Sequence, residues 1–131
     1  MRMTRFLGID YGVKKIGLAV SGERGDLAFP HSVVPSDPSA IRKVAKIVRN
    51  LGVHAIVMGA SLNLDRSENP VMVPARAFAD ALARETELRV YWQDERYTTL
   101  EAARIQGRHP KLDASAAALI LQAYLDRNAK Q

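Results

Sequence analysis

Apolar residues near the N-terminus cluster in two short runs that predict a β-hairpin. The runs over residues 5–10 and 15–21 are partly β-branched and are separated by a Tyr-Gly-Val-Lys turn, a pattern typical of paired strands. A weaker third strand is predicted over 27–34. Pro30 in that segment indicates an edge strand or a bulge, because proline cannot donate a ladder hydrogen bond.

The next segment keeps the spacing of an amphipathic helix. Asp37 followed by Pro38 predicts an N-cap and a first helical residue, and Gly52 predicts the end of the helix. Its apolar positions are Ile41, Val44, Ala45, Val48 and Leu51. A continuous apolar run over 53–58, interrupted only by His54, then predicts a strand buried in the middle of a sheet.

A second helix follows a polar loop over 59–69. Asn69 and Pro70 are predicted to start this helix. Its apolar face is formed by Ala75, Phe78, Ala79 and Leu82.

The last third of the chain contains one more strand and two more predicted helices. Alternation over 88–94 predicts a strand in which Trp92 faces a core. A capping box at Thr98 starts a predicted helix over 99–106. A final helix is predicted to begin at Asp113.

The resulting order is β-β-β-α-β-α-β-α, with the final helical region interrupted at 107–110. Hairpin strands followed by strands that alternate with helices predict an α/β fold with a five-stranded mixed sheet flanked by helices. The length of 131 residues, without a linker or repeat, predicts one domain over 1–131.

Charge and composition narrow the classes of function. The 19 Lys and Arg residues against 14 Asp and Glu give a net charge of +5, which suits nucleic acid or an anionic membrane surface. The absence of cysteine excludes thiol catalysis, disulfides and cysteine-ligated metal centres. The apolar runs at 6–9 and 114–125 are too short for a signal peptide and for a membrane span, so we expect a cytoplasmic protein without a membrane segment.

Asp10 is the first candidate for chemistry, because it ends an apolar strand, where a charge without a partner is costly. Asp10, Gly12, Gly17 and Ala19 match a phosphate-binding hairpin that occurs in actin-like ATPases and sugar kinases. By itself, such an aspartate is more often a turn-forming residue.

Two adjacent carboxylates, Asp94 and Glu95, follow the strand that contains Trp92. Successive strand residues point to opposite faces, so at most one of the two is directed toward Asp10. Glu95 has the parity opposite to Trp92 and is the preferred site residue, with Asp94 as the alternative. In the other interpretation, Asp94 and Glu95 are solvated charges at the end of the strand and pair with Arg96.

Asp113 opens an alanine-rich helix, a position where aspartate most often serves as an N-cap. The small residues over 114–118 would let this helix lie close to the sheet. Its first turn would then reach the strand end that carries Asp10.

Three carboxylates at one end of a sheet repel one another unless a cation neutralises them. Carboxylate oxygens select Mg²⁺ or Mn²⁺, and those ions can position a water for attack on phosphate. Lys14, Lys15 and Arg96 lie beside the acids in the sequence, where they can hold flanking phosphates.

Four segments give the chain a resemblance to a known family. They are 7–21 (LGIDYGVKKIGLAVS), 57–65 (VMGASLNLD), 94–102 (DERYTTLEA) and 113–122 (DASAAALILQ). In this order they resemble the RuvX/YqgF family, whose members have an RNase H-like fold and are described as Holliday-junction resolvases or pre-16S rRNA nucleases. The resemblance implies a metal-dependent nuclease whose catalytic and metal-binding residues are Asp10, Glu95 and Asp113.

The resemblance also implies that Lys14, Arg96 and Thr98 lie close to the acidic site. The other residues expected to bind nucleic acid are Lys15, Arg104, Arg108 and Lys111. The stretch over 106–112 is expected to clamp the phosphate backbone without reading bases, and a plain solvent-exposed loop is the alternative. His109 in that stretch is a further candidate, for proton transfer to the leaving group.

Two departures from the usual family pattern lie in the loop after the fourth strand. Residues 59–61 are Gly-Ala-Ser where Gly-Leu-Pro is usual, and residues 65–66 are Asp-Arg where Asp-Gly is usual. The better-known resolvases of this fold also carry an acid at the end of the fourth strand. Glu95 from the next strand is therefore expected to substitute for it.

These expectations combine into a nuclease that acts on structured RNA, in particular the 5′ end of precursor 16S rRNA. A four-way DNA junction is the alternative substrate, and since a resolvase cuts two symmetric strands it usually works as a dimer. The sequence is compatible with a monomer or a homodimer. Two other classes stay open: an actin-like ATPase fragment, for which the chain is short, and a nucleic-acid-binding module without catalysis.

Overall fold

The computed structural model of the protein describes residues 4–63, 65, 67–95 and 113–129. The strands and helices are β1 (Phe6–Tyr11), β2 (Lys15–Ser21), β3 (Ala28–Pro35), α1 (Ala40–Leu51), β4 (Ala55–Ala60), α2 (Met72–Thr86), β5 (Val90–Asp94) and α3 (Asp113–Ala129). Their succession agrees with the predicted order. The helix predicted over 99–106 lies outside the described residues.

The five strands form one sheet in the order β3-β2-β1-β4-β5. The pairs β1–β2 and β2–β3 are antiparallel, whereas β1–β4 and β4–β5 are parallel. The carboxyl ends of β1, β4 and β5 therefore lie at the same edge of the sheet. The predicted mixed five-stranded sheet is confirmed.

Strand β3 is an edge strand and contains a bulge, as Pro30 indicated. Ser32 pairs with Leu18 but Pro30 pairs with Ala19, so the register shifts between Leu18 and Ala19. An edge position tolerates proline because a missing N–H there breaks no inner ladder.

Alternating strand side chains form two cores on opposite faces of the sheet. The core under α1 and α2 includes Leu7, Ile9, Ile56, Met58, Val44, Val48, Phe78 and Leu82. The core under α3 includes Ala19, Val57, Ala117, Ile120, Leu121 and Leu125. We call these sides the α1–α2 face and the α3 face. Because side chains alternate along β1, Asp10 lies on the α3 face together with Gly8.

Both predicted helix starts are wrong, because the helices begin after an extra turn. The N-caps are Ser39 and Val71 rather than Asp37 and Asn69. The Asp37 carboxylate accepts a hydrogen bond from the Ser39 N–H at 2.9 Å, and the Asn69 side chain accepts one from the Val71 N–H at 3.1 Å. Each side chain therefore closes a local Asx turn ahead of the helix instead of capping it.

The end of α1 is as predicted. Gly52 is the C-cap and has a φ of 64°, a left-handed conformation that glycine adopts without steric cost. The two following strands are shifted by two residues at their starts, since β4 begins at Ala55 and β5 at Val90. Along 4–63, 65, 67–95 and 113–129, no helix combines the length and apolar character needed to cross a membrane.

Candidate active site

Asp10 and Glu95 approach each other from strands that are not neighbours. Asp10 lies near the end of β1, one residue beyond the paired residues Ile9 and Met58. Glu95 follows β5, and its N–H donates to the Ala60 carbonyl at 3.0 Å. Strand β4 runs between them, so two strand spacings of together about 10 Å separate the two backbones.

Gly59 on β4 provides the space for the Glu95 side chain. A Cβ atom at position 59 would lie 2.9 Å from Cγ and Oε1 of Glu95 and 2.8 Å from Cδ1 of Ile120. These distances are shorter than any ordinary contact. The missing side chain at Gly59 therefore lets Glu95 lie over β4 and reach Asp10.

The carboxyl groups of Glu95 and Asp10 are joined by a hydrogen bond. A hydrogen bond between two carboxyl groups requires a proton on one of them. Burial, the charge of Asp10 and that hydrogen bond raise the pKa of Glu95 to about 8, with a smaller contribution from Asp94. In the absence of a metal ion, the Asp10 and Glu95 carboxyl groups therefore share a proton near neutral pH.

Glu95, rather than Asp94, lies on the same face of the sheet as Asp10 and hydrogen-bonds to it. Trp92 is half-buried against the core of the α1–α2 face, and Asp94 has the same parity along β5. Gln93 has the opposite parity and is 2% exposed. Glu95 continues the alternation of Gln93 onto the α3 face.

Helix α3 crosses the sheet in close contact with β1. A Cβ atom at Gly8 would lie 2.7 Å from Cβ of Leu121 and 3.0 Å from the Ala117 carbonyl oxygen. Farther along α3, the Tyr124 ring lies 5.9 Å from that of Phe6. Gly8 on β1 thus lets the helix lie close to the sheet at Ala117 and Leu121.

The direction of α3 brings its start toward the end of β1. Asp113 precedes Ala117 by one helical turn, about 6 Å along the axis. Asp10 lies two strand residues beyond Gly8, about 6.6 Å along β1. The backbone of Asp113 therefore lies near the level of Asp10, and its side chain is outside the described part of the structure.

A cleft at the β1–β2 turn adjoins Asp10. It has a volume of 310 Å³ and is lined by Asp10, Gly12, Val13, Lys14 and Lys15. Both lysines are exposed. A Cβ atom at Gly12 would lie 2.7 Å from the Lys15 carbonyl oxygen, so this tight turn requires glycine.

The loop after β4 forms a small hairpin rather than an irregular segment. Leu62 and Glu68 form an isolated antiparallel bridge, and the Asn69 N–H donates to the Ser61 carbonyl at 3.0 Å. Glu68 pairs with Arg76 of α2, whose guanidinium lies 5.4 Å from the ring centre of Trp92. These contacts connect the hairpin, of which residues 61–63, 65 and 67–69 are described, to α2.

Ser61 is a member of the site that sequence reasoning did not include. Its side chain hydrogen-bonds to Glu95. The sequence identified this position only as a departure from the usual proline. Its pairing with Glu95 depends on the alignment of β4 with β5, which no local pattern encodes.

The remaining predicted site residues lie outside the described part of the structure. They are Arg96, Thr98, Arg104, Arg108 and Lys111, together with His109. Among the residues that the structure describes, no group of three or more His, Asp or Glu side chains is placed to hold a metal ion. Of the three predicted ligands, the described side chains are those of Asp10 and Glu95.

A family model matches nearly the whole chain. The model is that of RuvX, described as a Holliday junction resolvase, and it matches residues 4–127.

Curated relatives resemble the chain over most of their own length. A protein of Pelotomaculum thermopropionicum is 40% identical over 93% of this chain and 86% of the relative. A protein of Anaplasma marginale is 38% identical over 93% of this chain and 84% of the relative. Both carry the name "Putative pre-16S rRNA nuclease".

Solved structures of RuvC from Thermus thermophilus share the fold. One has a TM-score of 0.63 at 18% identity and covers 97% of each chain. Another, in complex with a Holliday junction substrate, has a TM-score of 0.65 at 16% identity over 98% of this chain and 97% of the other. The expected RNase H-like fold is confirmed.

Proposed function

The chain belongs to the RuvX family of nucleases, and from that premise we propose how it hydrolyses phosphodiester bonds. Asp10, Glu95 and Asp113 together hold a divalent cation, Mg²⁺ or Mn²⁺. Carboxylate oxygens are the preferred ligands of both ions. When bound, such a cation supplies an activated water and neutralises the charge that develops on the phosphate.

The observation that carries this proposal is the hydrogen-bonded pair of Asp10 and Glu95. Two carboxyl groups held in contact and partly buried favour a positive charge between them. In the absence of a metal ion, a proton satisfies the pair. The same oxygen atoms suit a hard divalent cation, and Asp113, whose backbone begins α3 near the level of Asp10, is the proposed third ligand.

The protein residues around the carboxylates have separate proposed tasks. Asp10 is fixed by the central strand, while Gly59 leaves room for Glu95. Lys14 and Lys15 line the adjoining cleft, where their charges can hold the phosphates on one side of the scissile bond. The basic and hydroxyl residues proposed to hold the rest of the nucleic-acid backbone are Arg96, Thr98, Arg104, Arg108 and Lys111.

The proposed substrate is structured RNA, in particular the 5′ end of precursor 16S rRNA. The names of relatives 38% and 40% identical to the chain support this choice. It implies a cytoplasmic location, where precursor rRNA is processed. The chain acts as one nuclease domain in this proposal.

A four-way DNA junction is the second candidate substrate. The description of the matching family and the shared fold with RuvC favour it. Resolution of a junction requires two symmetric cuts and hence two active sites, so this candidate requires a homodimer, whereas RNA processing is compatible with a monomer.

Cleavage assays with the wild type and Asp10→Asn test the proposal. Labelled precursor rRNA, linear single-stranded RNA and DNA, and a four-way junction are incubated with Mg²⁺, Mn²⁺ or EDTA. We expect metal-dependent cleavage of precursor rRNA that Asp10→Asn lacks while it still binds RNA. Asp80→Asn, at an exposed position of α2, is the matched control and should cleave like the wild type.

The outcomes separate the candidates. Preferred cleavage of the junction would replace rRNA by branched DNA as the substrate. If no substrate is cut, and wild type and Asp10→Asn bind equally well in EDTA, the protein is a nucleic-acid-binding module and the nuclease proposal is wrong.

A further inference from the structure

We propose that Ser61 is a positioning residue for the metal site, because its hydroxyl donates a hydrogen bond to the Glu95 carboxylate and fixes its orientation toward the cation. This inference rests on the proposed function, in which Glu95 is a ligand. It assigns a task to a residue at the end of β4, where no acidic side chain is present.

The sheet brings Ser61 and Glu95 side by side. Ala60 pairs with Asp94 in the parallel ladder between β4 and β5. The Glu95 N–H continues that ladder by donating to the Ala60 carbonyl at 3.0 Å. Ser61 therefore stands next to Glu95, and both follow the alternation that leads to the α3 face.

Both backbone polar groups of Ser61 are hydrogen-bonded, so the position from which its hydroxyl extends is fixed. The Ser61 carbonyl accepts a hydrogen bond from the Asn69 N–H at 3.0 Å, which closes the base of the hairpin. The Ser61 N–H donates to the sulfur of Met72 at 3.3 Å, and Met72 is fully buried at the start of α2. A half-buried serine fixed in this way loses little side-chain entropy when it binds Glu95.

The hydroxyl offers Glu95 a hydrogen-bond donor at a fixed position. Ser61 and Glu95 are both half-buried and lie side by side where the ladder between β4 and β5 ends. A ligand that is hydrogen-bonded by a neighbouring residue is held in one orientation for a metal ion. Ser61 therefore reduces the freedom that Glu95 loses when it binds the cation.

Binding of the cation in the absence of substrate provides the test. Mg²⁺ binding is measured by calorimetry and Mn²⁺ binding by electron paramagnetic resonance, for the wild type, Ser61→Ala and Ser61→Thr. We expect Ser61→Ala to weaken binding of both ions about tenfold, since a hydrogen bond to a charged group is lost. Ser61→Thr keeps the hydroxyl and should stay within about twofold of the wild type.

Two controls exclude a general loss of structure. Ser67→Ala removes an exposed hydroxyl from the same hairpin and should leave cation affinity unchanged. Melting temperatures in EDTA establish that each variant folds. If Ser61→Ala does not fold, the comparison of Ser61→Thr with Ser61→Val replaces it, because these side chains have nearly the same shape and differ in the hydroxyl.

The results distinguish this inference from the proposed function. Equal cation affinity of wild type and Ser61→Ala overturns the role of Ser61 and leaves the nuclease proposal intact. Weaker binding by Ser61→Ala together with a wild type that cuts no substrate supports the role of Ser61 in a metal site and overturns the nuclease. A wild type that binds neither ion overturns both.

Discussion

The carboxyl group of Glu95 reaches over a whole strand to hydrogen-bond with that of Asp10. The crossing takes place above Gly59, where a Cβ atom would lie 2.9 Å from Oε1 of Glu95. An acidic site is thus built from strands that are not adjacent, with a glycine between them.

Replacement of Gly59 by alanine should displace Glu95. The added Cβ would lie 2.9 Å from Oε1 of Glu95 and 2.8 Å from Cδ1 of Ile120 on α3, so both side chains must move. We expect cation affinity to fall at least about tenfold and stability to fall by about 1–3 kcal/mol, the usual cost of overpacking. Calorimetric Mg²⁺ titration and urea unfolding measure the two effects.

Gly22→Ala is the matched control for Gly59→Ala. A Cβ at Gly22 meets nothing closer than the Phe29 ring at 4.0 Å. This variant should therefore keep both its stability and its cation affinity. An unchanged affinity in Gly59→Ala would show that Glu95 does not need the space above β4.

The stability of the metal-free protein should decrease as pH rises. Burial and the neighbouring Asp10 raise the pKa of Glu95 from 4.5 to about 8. Between these values the folded protein holds a proton that the unfolded chain has released, so this group contributes stability that is complete below 4.5 and lost toward 8. The slope is at most about 1.4 kcal/mol per pH unit.

Urea unfolding in EDTA at several pH values between 5 and 8.5 measures that slope. Glu95→Gln has no carboxyl to titrate, so the difference between wild type and variant isolates the contribution of this group. Saturating Mg²⁺ should reduce the pH dependence, because the cation replaces the proton. If the wild type and Glu95→Gln show the same pH slope in EDTA, Glu95 does not hold the proton and the prediction is wrong.

Lys14→Gln should weaken substrate binding without changing the chemical step. Lys14 is exposed beside the Asp10 cleft, where its charge can contact a phosphate. We expect KM to rise about three- to tenfold with kcat unchanged. The number of counterions released on binding, measured from the salt dependence of the affinity, should fall by about one. Lys46→Gln, on the exposed side of α1, is the control and should keep the wild-type KM. A fall in kcat at saturating substrate would instead place Lys14 in the chemical step.

Gly8→Ala should separate α3 from the sheet. Its Cβ would lie 2.7 Å from Cβ of Leu121, and neither atom belongs to a flexible side-chain end. We expect a loss of about 1–3 kcal/mol in unfolding free energy. Because α3 carries Asp113, cation affinity should fall as well. Hydrogen exchange of the α3 amides measures the displacement. If Gly8→Ala exchanges these amides and binds the cation as the wild type does, α3 has not moved and the prediction is wrong.

Helix starts show where local sequence patterns are ambiguous. Asp37 and Asn69 each precede a proline, and both make the backbone hydrogen bond that an Asx residue makes two residues onward. The same bond occurs in an N-cap and in a free Asx turn. The helices start later, at Ala40 and Met72, so this bond by itself does not specify where a helix begins.

The sequence by itself determined the elements and the face on which each acid lies. Alternation along β1 and β5 places Asp10 and Glu95 on the α3 face, since the period of two is a local property of an extended chain. The small residues at the start of α3 likewise predicted its close approach to the sheet. Family membership followed from the same residues.

Only the tertiary structure decided that the two acids meet. The order β1-β4-β5 puts Gly59 between them, and the ladder between β4 and β5 sets Ser61 beside Glu95. Strand order and register are pairings between distant segments, chosen by the burial of whole faces rather than by neighbours in the chain. For that reason the sequence identified the acids, whereas the contacts of Gly59 and Ser61 with Glu95 emerged from the fold.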